Sequence, residues 1–422
     1  MHRMTRQGML RSAVSAVRTA TNMLTTPRSA SLVAAGAVLL AVSFSPIASA
    51  QTVRIGMLAT YSGTNAAFGT EMDRGMKLYM KLNADKLPPG VKVDVVVRDD
   101  GGPVPDKARA IAQELIVRDK VQILTGIVWS PNALAIAPLV TEAKVPMVIM
   151  NAAASVIPLR SPYIVRLSFT EWQHALPLGR WASRKYTRAY QLVSDFAAGH
   201  DSEEAFAKGF AEGGGQIIGK VRVPLANPDF IPFLQRVKDE KPDVLFAFVP
   251  SGPPAAQLMK AYAALGLERA GIRFIGSGNI TADEELVNMG DAALGVVTAY
   301  HYSPGGDRPA NKAFTTAFAR EYGEAVVPTL MSLAAWDAMD AIYTAIREQQ
   351  GRIDPDRTMA ILSRYSNPNS PRGPVAIDPE TRDVVHNEYI REVRRVGGKL
   401  MNVEIETIPN VRDGWKELNA RK

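Results

Sequence analysis

From Thr52 onward, short apolar, β-branched runs alternate with stretches whose apolar residues recur at helical spacing. This alternation confines the chain to α/β folds built on mainly parallel sheets. Residues 53–58, 93–97, 122–125 and 145–150 are short, mainly apolar and rich in β-branched residues, as strands covered by helices on both faces tend to be. Helices are predicted between them. Residues 72–83 place Met76, Leu78, Tyr79 and Leu82 on one face, and 105–118 open with Pro105 and Asp106, which suit a first turn. Ser130-Pro131 marks the next start, with serine as the cap and proline at the first helical position.

A second series follows, with strands at 190–193, 217–223, 244–249 and 272–275 and helices from about residues 202, 230, 254 and 282. The expected fold class is α/β, with two doubly wound, mainly parallel-sheet lobes. Residues 294–302 read as a strand returning towards the first lobe, and 310–322 and 329–348 as long helices. Strand-like runs broken by Asp378-Pro379 and Gly397-Gly398 fill 373–408. No low-complexity linker separates the halves, so the chain is expected to cross between them several times and form a hinge. The expected division is 51–168 with 300–385 in lobe 1 and 169–299 with 386–422 in lobe 2. Loops at the carboxyl ends of both sheets then face each other across a cleft, where a ligand would bind.

Residues 1–50 predict export. Arg3, Arg6, Arg11, Arg18 and Arg28 form a cationic lead with no acidic residue, and an apolar run over 31–44 precedes Pro46 and the small-x-small sequence Ala48-Ser49-Ala50. That run of about 14 residues is short of the roughly 20 a bilayer-spanning helix needs, so cleavage near Ala50 and a periplasmic location are expected over a retained anchor. Met23 stands as an alternative start. Without the lead, 44 basic side chains face 42 acidic ones, a net +2, and they are not concentrated in a patch, which points away from nucleic acid. The absence of cysteine excludes thiol chemistry and Cys-ligated metals. The five histidines show no i, i+4 pair, and no Gly-x-Ser-x-Gly elbow or Gly-x4-Gly-Lys loop occurs. Asp99-Asp100-Gly101-Gly102 lacks the further acidic positions of a calcium loop and reads as a strand-to-helix turn. No enzymatic activity, cofactor or metal is expected.

Several short motifs occur in a fixed order. They are Arg54-Ile55-Gly56-Met57-Leu58, Ser62-Gly63, Phe68-Gly69, Asp99-Asp100, Gly126 with Ser130, Val145-Pro146 leading into Asn151 and Ala152, then Ser194-Asp195 with Gly199, Lys241-Pro242-Asp243, Gly276-Ser277-Gly278 and Gly295. Over nearly the whole chain after the lead this order resembles the type I periplasmic solute-binding proteins of ABC importers, in the branch that binds branched-chain amino acids. The resemblance implies a monomeric receptor without enzymatic activity. Its two lobes would close on a small solute, and the closed form would dock on a membrane permease. It also implies that Ser130 and the loop Ala152, Ala153 and Ala154 hold a ligand carboxylate. A helix start at Ser130 supports this independently, because unpaired N–H groups and the positive dipole end there suit an anion. The alternative is that Ser130 only caps its helix and the loop is a packed turn.

The departures from the family pattern bear on the ligand. The glutamate that meets the ligand ammonium in amino acid binders is matched by Gly278, beside Asn279. A tyrosine before the glycine of the second lobe is matched by Ala198, and the threonine of the carboxylate loop by Ala154. An unpaired buried ammonium costs several kcal/mol, so the expected ligand is a carboxylate without an amino group, aromatic or otherwise apolar. A buried acid facing the cleft would restore the ammonium partner, with Asp195, Glu171 and Asp283 as the nearest candidates. Tyr61, Phe68, Trp129, Phe196 and Tyr300 are candidate stacking rings, each with core packing as the alternative. His200 is a candidate hydrogen-bond donor, or a capping or surface group. Arg166 is expected to form a hinge salt bridge. The competing functions are an amino acid receptor with a rearranged ammonium site and an exported ligand sensor.

Overall fold

The computed structural model describes residues 51–419, so the expected export segment lies outside the described residues. The first half runs β1 (Gln51–Ala59), α1 (Ala66–Leu82), β2 (Val91–Asp99), α2 (Pro105–Val117), β3 (Ile123–Gly126), α3 (Ser130–Ala143), β4 (Met147–Ile149) and β5 (Ile164–Arg166). Its five strands form an all-parallel sheet in the order β2-β1-β3-β4-β5. Every residue of β3, β4 and β5 is buried, which explains why the runs at 122–125 and 145–150 read as strands covered on both faces.

The second half contains α4 (Glu171–Ser183), β6 (Arg188–Ser194), α5 (Ala197–Glu212), β7 (Gln216–Val223), α6 (Ile231–Glu240), β8 (Val244–Phe248), α7 (Pro253–Ala264), β9 (Arg273–Ser277), α8 (Leu286–Met289) and β10 (Val297–Tyr300). Then come α9 (Pro309–Tyr322), α10 (Leu330–Glu348), α11 (Pro355–Leu362), β11 (Ser366–Asn367), β12 (Val375–Ile377), β13 (Val384–Val396), β14 (Lys399–Val411) and α12 (Gly414–Asn419). The second sheet runs β11-β12-β13-β10-β9-β8-β6-β7, with β14 paired to β13. It is parallel from β7 to β10 and antiparallel beyond. This is a two-lobed α/β fold with mainly parallel sheets.

Two expected elements differ from those found. The strand expected at 294–302 is the shorter β10, which extends the second sheet beside β9 instead of leaving it. The helix expected from about residue 282 is reduced to 3-10 turns and the four-residue α8, because Gly290 follows at φ 60° and ends it. The run after 373 forms a long hairpin, β13 and β14. Its turn, Gly397-Gly398, has φ of 57° and 82°, the conformation a two-residue hairpin turn requires.

Helices α9 to α11 pack back on the first half. Tyr79 of α1 meets Trp336 and Tyr343 of α10 edge-on, at centroid distances of 5.1 and 5.2 Å. The chain therefore passes between the halves three times, at 167–170, 301–308 and 363–366. Three crossings restrict relative motion to a hinge, which places the functional cleft between the sheets.

Candidate functional site

At the first half's side of the cleft, Ser130 is the first residue of α3 and Trp129, extended at φ −106° and ψ 133°, occupies the cap position. Ser130 therefore lies one residue further in than a cap, and its hydroxyl serves another purpose. It accepts the Ala154 N–H at 3.2 Å, tying the following loop to the helix start. The Ala152 N–H donates to Ile127 O at 3.0 Å. Among the described residues the N–H groups of Ser130 and Ala153 have no partner, and both residues line the same cavity. Two unmet donors at a helix N-terminus have the chemistry to hold an anion. Arg166 holds the loop from behind, donating to Ala152 O at 2.9 Å and Ala154 O at 2.8 Å while its Nε donates to Asp383 at 2.8 Å.

The cavity spans about 390 Å³ including space open to solvent, and five aromatic rings line it: Phe68, Trp129 and Phe169 on one side, Phe196 and Phe248 on the other. Phe68 and Trp129 tilt against each other at 6.0 Å, and Phe196 and Phe248 stack at 5.9 Å. The Trp129 indole is fixed by donation to Thr60 at 2.9 Å, and Thr60 in turn donates to Asp100 at 2.8 Å. A planar ligand between such walls gains about 0.5–1.5 kcal/mol per ring pair beyond burial. Phe68 and Met331 also border a wider cleft of about 1950 Å³, open solvent included. The halves touch at its rim, where Ser155 N–H donates to Asp201 at 2.7 Å and Asn65 to Ser251 O at 3.4 Å.

One acid, Glu171, lines the cavity, and it is fully buried. It lies in the first turn of α4, set by a reciprocal capping box between Thr170 and Gln173. Its Oε1 accepts from Asn279 Nδ2 at 3.4 Å, the Asn279 carbonyl accepts from Tyr300 Oη at 2.8 Å, and its Oε2 makes no hydrogen bond of good geometry among the described residues. Burial pushes the carboxyl up to about 8, so at neutral pH it is mainly uncharged. Behind Phe169, which stacks on His174 at 4.6 Å and His301 at 5.0 Å, the imidazoles of His174 and His301 are linked at 3.2 Å. His386 and Glu388 complete this buried cluster. Burial holds the three histidines well below their ordinary value, His386 at about 3, and holds Glu388 well above, so the floor of the cavity carries little charge.

A family model described as periplasmic binding protein matches residues 52–399. The chain belongs to that family. The Leu/Ile/Val-binding protein homolog 6 of Brucella melitensis is 38% identical over 360 residues, covering 85% of this chain and 92% of the relative. A solute-binding protein of an ABC transporter from Rhodopseudomonas palustris BisB5, solved with 3,4-dihydroxybenzoic acid, is 43% identical at a TM-score of 0.83, covering 86% of this chain and 99% of that one. Another from R. palustris, solved with 4-hydroxybenzoate, is 40% identical at 0.83, with the same coverage.

Of the residues singled out from sequence, this family member brings Phe68, Trp129, Ser130, Ala153, Phe196 and Asn279 together on the cavity wall. Ala152 and Ala154 shape the loop behind it, and Tyr300 and Gly278 stand behind Asn279. A Cβ on Gly278 would come within 2.1 Å of the Tyr300 ring, so the space of the family's glutamate side chain is taken by that ring. Tyr61 is turned away, its hydroxyl donating to Asp73 at 2.7 Å, and His200 pairs with Asp195 on the surface at 2.6 Å. Asp283 pairs with Arg391 outside the cavity. Of the three candidate acids, Glu171 alone faces the ligand space. Phe169, Phe248 and Met331 are wall residues that sequence reasoning missed. The Thr-x-x-Gln capping box is the signal that could have placed Glu171 at a helix start.

Proposed function

We propose that this protein is the periplasmic receptor of an ABC importer, capturing an aromatic carboxylate by lobe closure and delivering it, as a monomer, to a membrane permease. The observation that carries this reading is the pairing of two unmet N–H donors, Ser130 and Ala153, with a cavity walled by aromatic rings whose single acid is uncharged at neutral pH. The ligand carboxylate would sit on the helix start and its ring between Phe68, Trp129, Phe196 and Phe248. The two R. palustris proteins solved with hydroxybenzoic acids support the ligand class. An ammonium has no ready counterion, because Gly278 offers no carboxylate and Glu171 would first have to ionise in a buried setting.

Calorimetric titration with benzoate, 4-hydroxybenzoate, hydroxycinnamates, leucine and valine tests this. Benzoates should bind and leucine should not; leucine binding with no response to aromatic acids overturns it. The second reading, a branched-chain amino acid receptor, is favoured by one observation: Glu171 is buried against the cavity and would be the ammonium partner if ionised. Small-angle scattering should show compaction on saturation, and deletion of the gene should abolish uptake if the receptor delivers cargo instead of reporting occupancy.

A further inference from the structure

We propose that Glu171 is the specificity-determining residue of the cavity: it binds as an uncharged carboxyl group and donates its proton to an oxygen substituent on the ligand ring, selecting hydroxylated or methoxylated benzoates over benzoate. This rests on the aromatic-acid reading above. The hydrogen-bond directions around Glu171 lead to it. Tyr300 Oη donates to the Asn279 carbonyl at 2.8 Å, which leaves the Asn279 amide nitrogen facing Glu171. That nitrogen donates to Oε1 at 3.4 Å, so Oε1 is the carbonyl-like oxygen and the proton belongs on Oε2. Oε2 is fully buried and makes no hydrogen bond of good geometry among the described residues, with the Ser277 and Ser202 hydroxyls beside the carboxyl. A buried O–H without an acceptor is costly, and a ligand oxygen can accept from it where an alkyl group cannot.

The charges around Glu171 keep it protonated. Asp201 from α5 and Glu388 from β13 face it, the Tyr300 phenol of β10 stays neutral, and His174, one turn along α4, is uncharged by burial. Arg391 of β13 lies over the Tyr300 ring at 4.8 Å and donates to Tyr302 O and Thr298, so its charge is engaged elsewhere. A ligand carboxylate on Ser130 and Ala153 would add a further negative charge, raising the carboxyl beyond about 8. Above that pH the ligand must bring a proton with it, so affinity falls by about tenfold per pH unit. The anion end, at the start of α3, and the donor end, at the start of α4, are tied together where Glu171 N–H donates to Ala153 O at 3.4 Å.

The test is calorimetry on the protein without its lead, using benzoate, 4-methylbenzoate as a size control, 4-hydroxybenzoate and 4-methoxybenzoate. The wild type should prefer 4-hydroxybenzoate to 4-methylbenzoate by about tenfold or more. Glu171→Gln, whose amide places an uncharged N–H donor at the same position, should keep a preference, and Glu171→Leu should reduce the ratio to within about threefold of one. With 4-methoxybenzoate, which has no titrating hydroxyl, wild-type affinity should fall above pH 8 and that of Glu171→Gln should stay flat. A wild type without preference, a preference surviving in Glu171→Leu, or Glu171→Gln impaired as much as Glu171→Leu overturns the proposal. If Glu171→Leu does not fold, Glu171→Gln and the pH series still decide. Failure of every benzoate to bind overturns the aromatic-acid reading itself, and leucine binding lost in Glu171→Gln would instead make Glu171 an ionised ammonium partner.

Discussion

Replacing Arg166 with methionine separates the support of the anion loop from the donors themselves. The guanidinium is fully buried, donates to two loop carbonyls, Ala152 O and Ala154 O, and pairs with Asp383. Asp383 is also paired with Lys416, so the cluster keeps one cation when Arg166 is lost. Breaking one side of a buried pair costs about 3–5 kcal/mol, and the two orphaned carbonyls are part of that cost. With about 2.1 cal/mol/K of unfolding entropy per residue over roughly 370 residues, a loss of about 4 kcal/mol lowers Tm by about 5 °C. Without its rear anchors the Ala153 N–H loses its aim, and benzoate affinity should fall by about tenfold or more. Asp383→Asn is the control: it removes the charge pair but leaves both carbonyl bonds, so Tm should drop while affinity stays within about threefold. Thermal unfolding followed by circular dichroism and calorimetric titration read the two effects. Arg166→Met with unchanged Tm and affinity would refute the argument, and equal affinity losses in both variants would show that general stability, not loop geometry, controls binding.

Glu171→Gln should raise Tm by about 4 °C at pH 7. The folded state holds a proton up to about pH 8 that the unfolded chain releases near 4.5, so wild-type stability falls across that window, by about 3 kcal/mol at pH 7. At pH 4 both states are protonated and the gain should vanish; an equal gain there would refute burial of a neutral acid. Ser130→Ala leaves the buried Ala154 N–H unpaired, at a cost of about 1–3 kcal/mol, and should weaken benzoate about tenfold in a titration; unaltered binding would show that the hydroxyl does not organise the loop. Gly278→Glu should not create a leucine site but should cost about 3 kcal/mol or more in unfolding measurements, because its Cβ meets the Tyr300 ring; a stable variant that binds leucine would refute this.

The parts of this molecule that could be read in advance are those decided by neighbours in sequence. Strands β3, β4 and β8 are apolar because both faces are covered, and α2, α3 and α7 begin at prolines that suit a first turn. In the cavity only the helix start at Ser130 is legible in this way; Ala153 and Trp129 are picked out by the family resemblance. The rest is assembled across distances that no local pattern spans: Glu171 of α4 meets Asn279 after β9, and His174, His301 and His386 converge from three elements. Even the departures visible in sequence needed the fold to acquire meaning. Gly278 reads as a missing carboxylate, but its neighbour in space, Tyr300, is what fills the vacated volume and turns Asn279 towards Glu171. The acid was thus not simply lost from the cavity. A carboxyl group enters it from another element, in a setting without a nearby free cation, and burial decides that it arrives as a hydrogen-bond donor rather than as a charge. In the proposed reading, ligand class depends on ionisation state as much as on residue identity, and one conservative substitution, carboxyl to amide, separates the two.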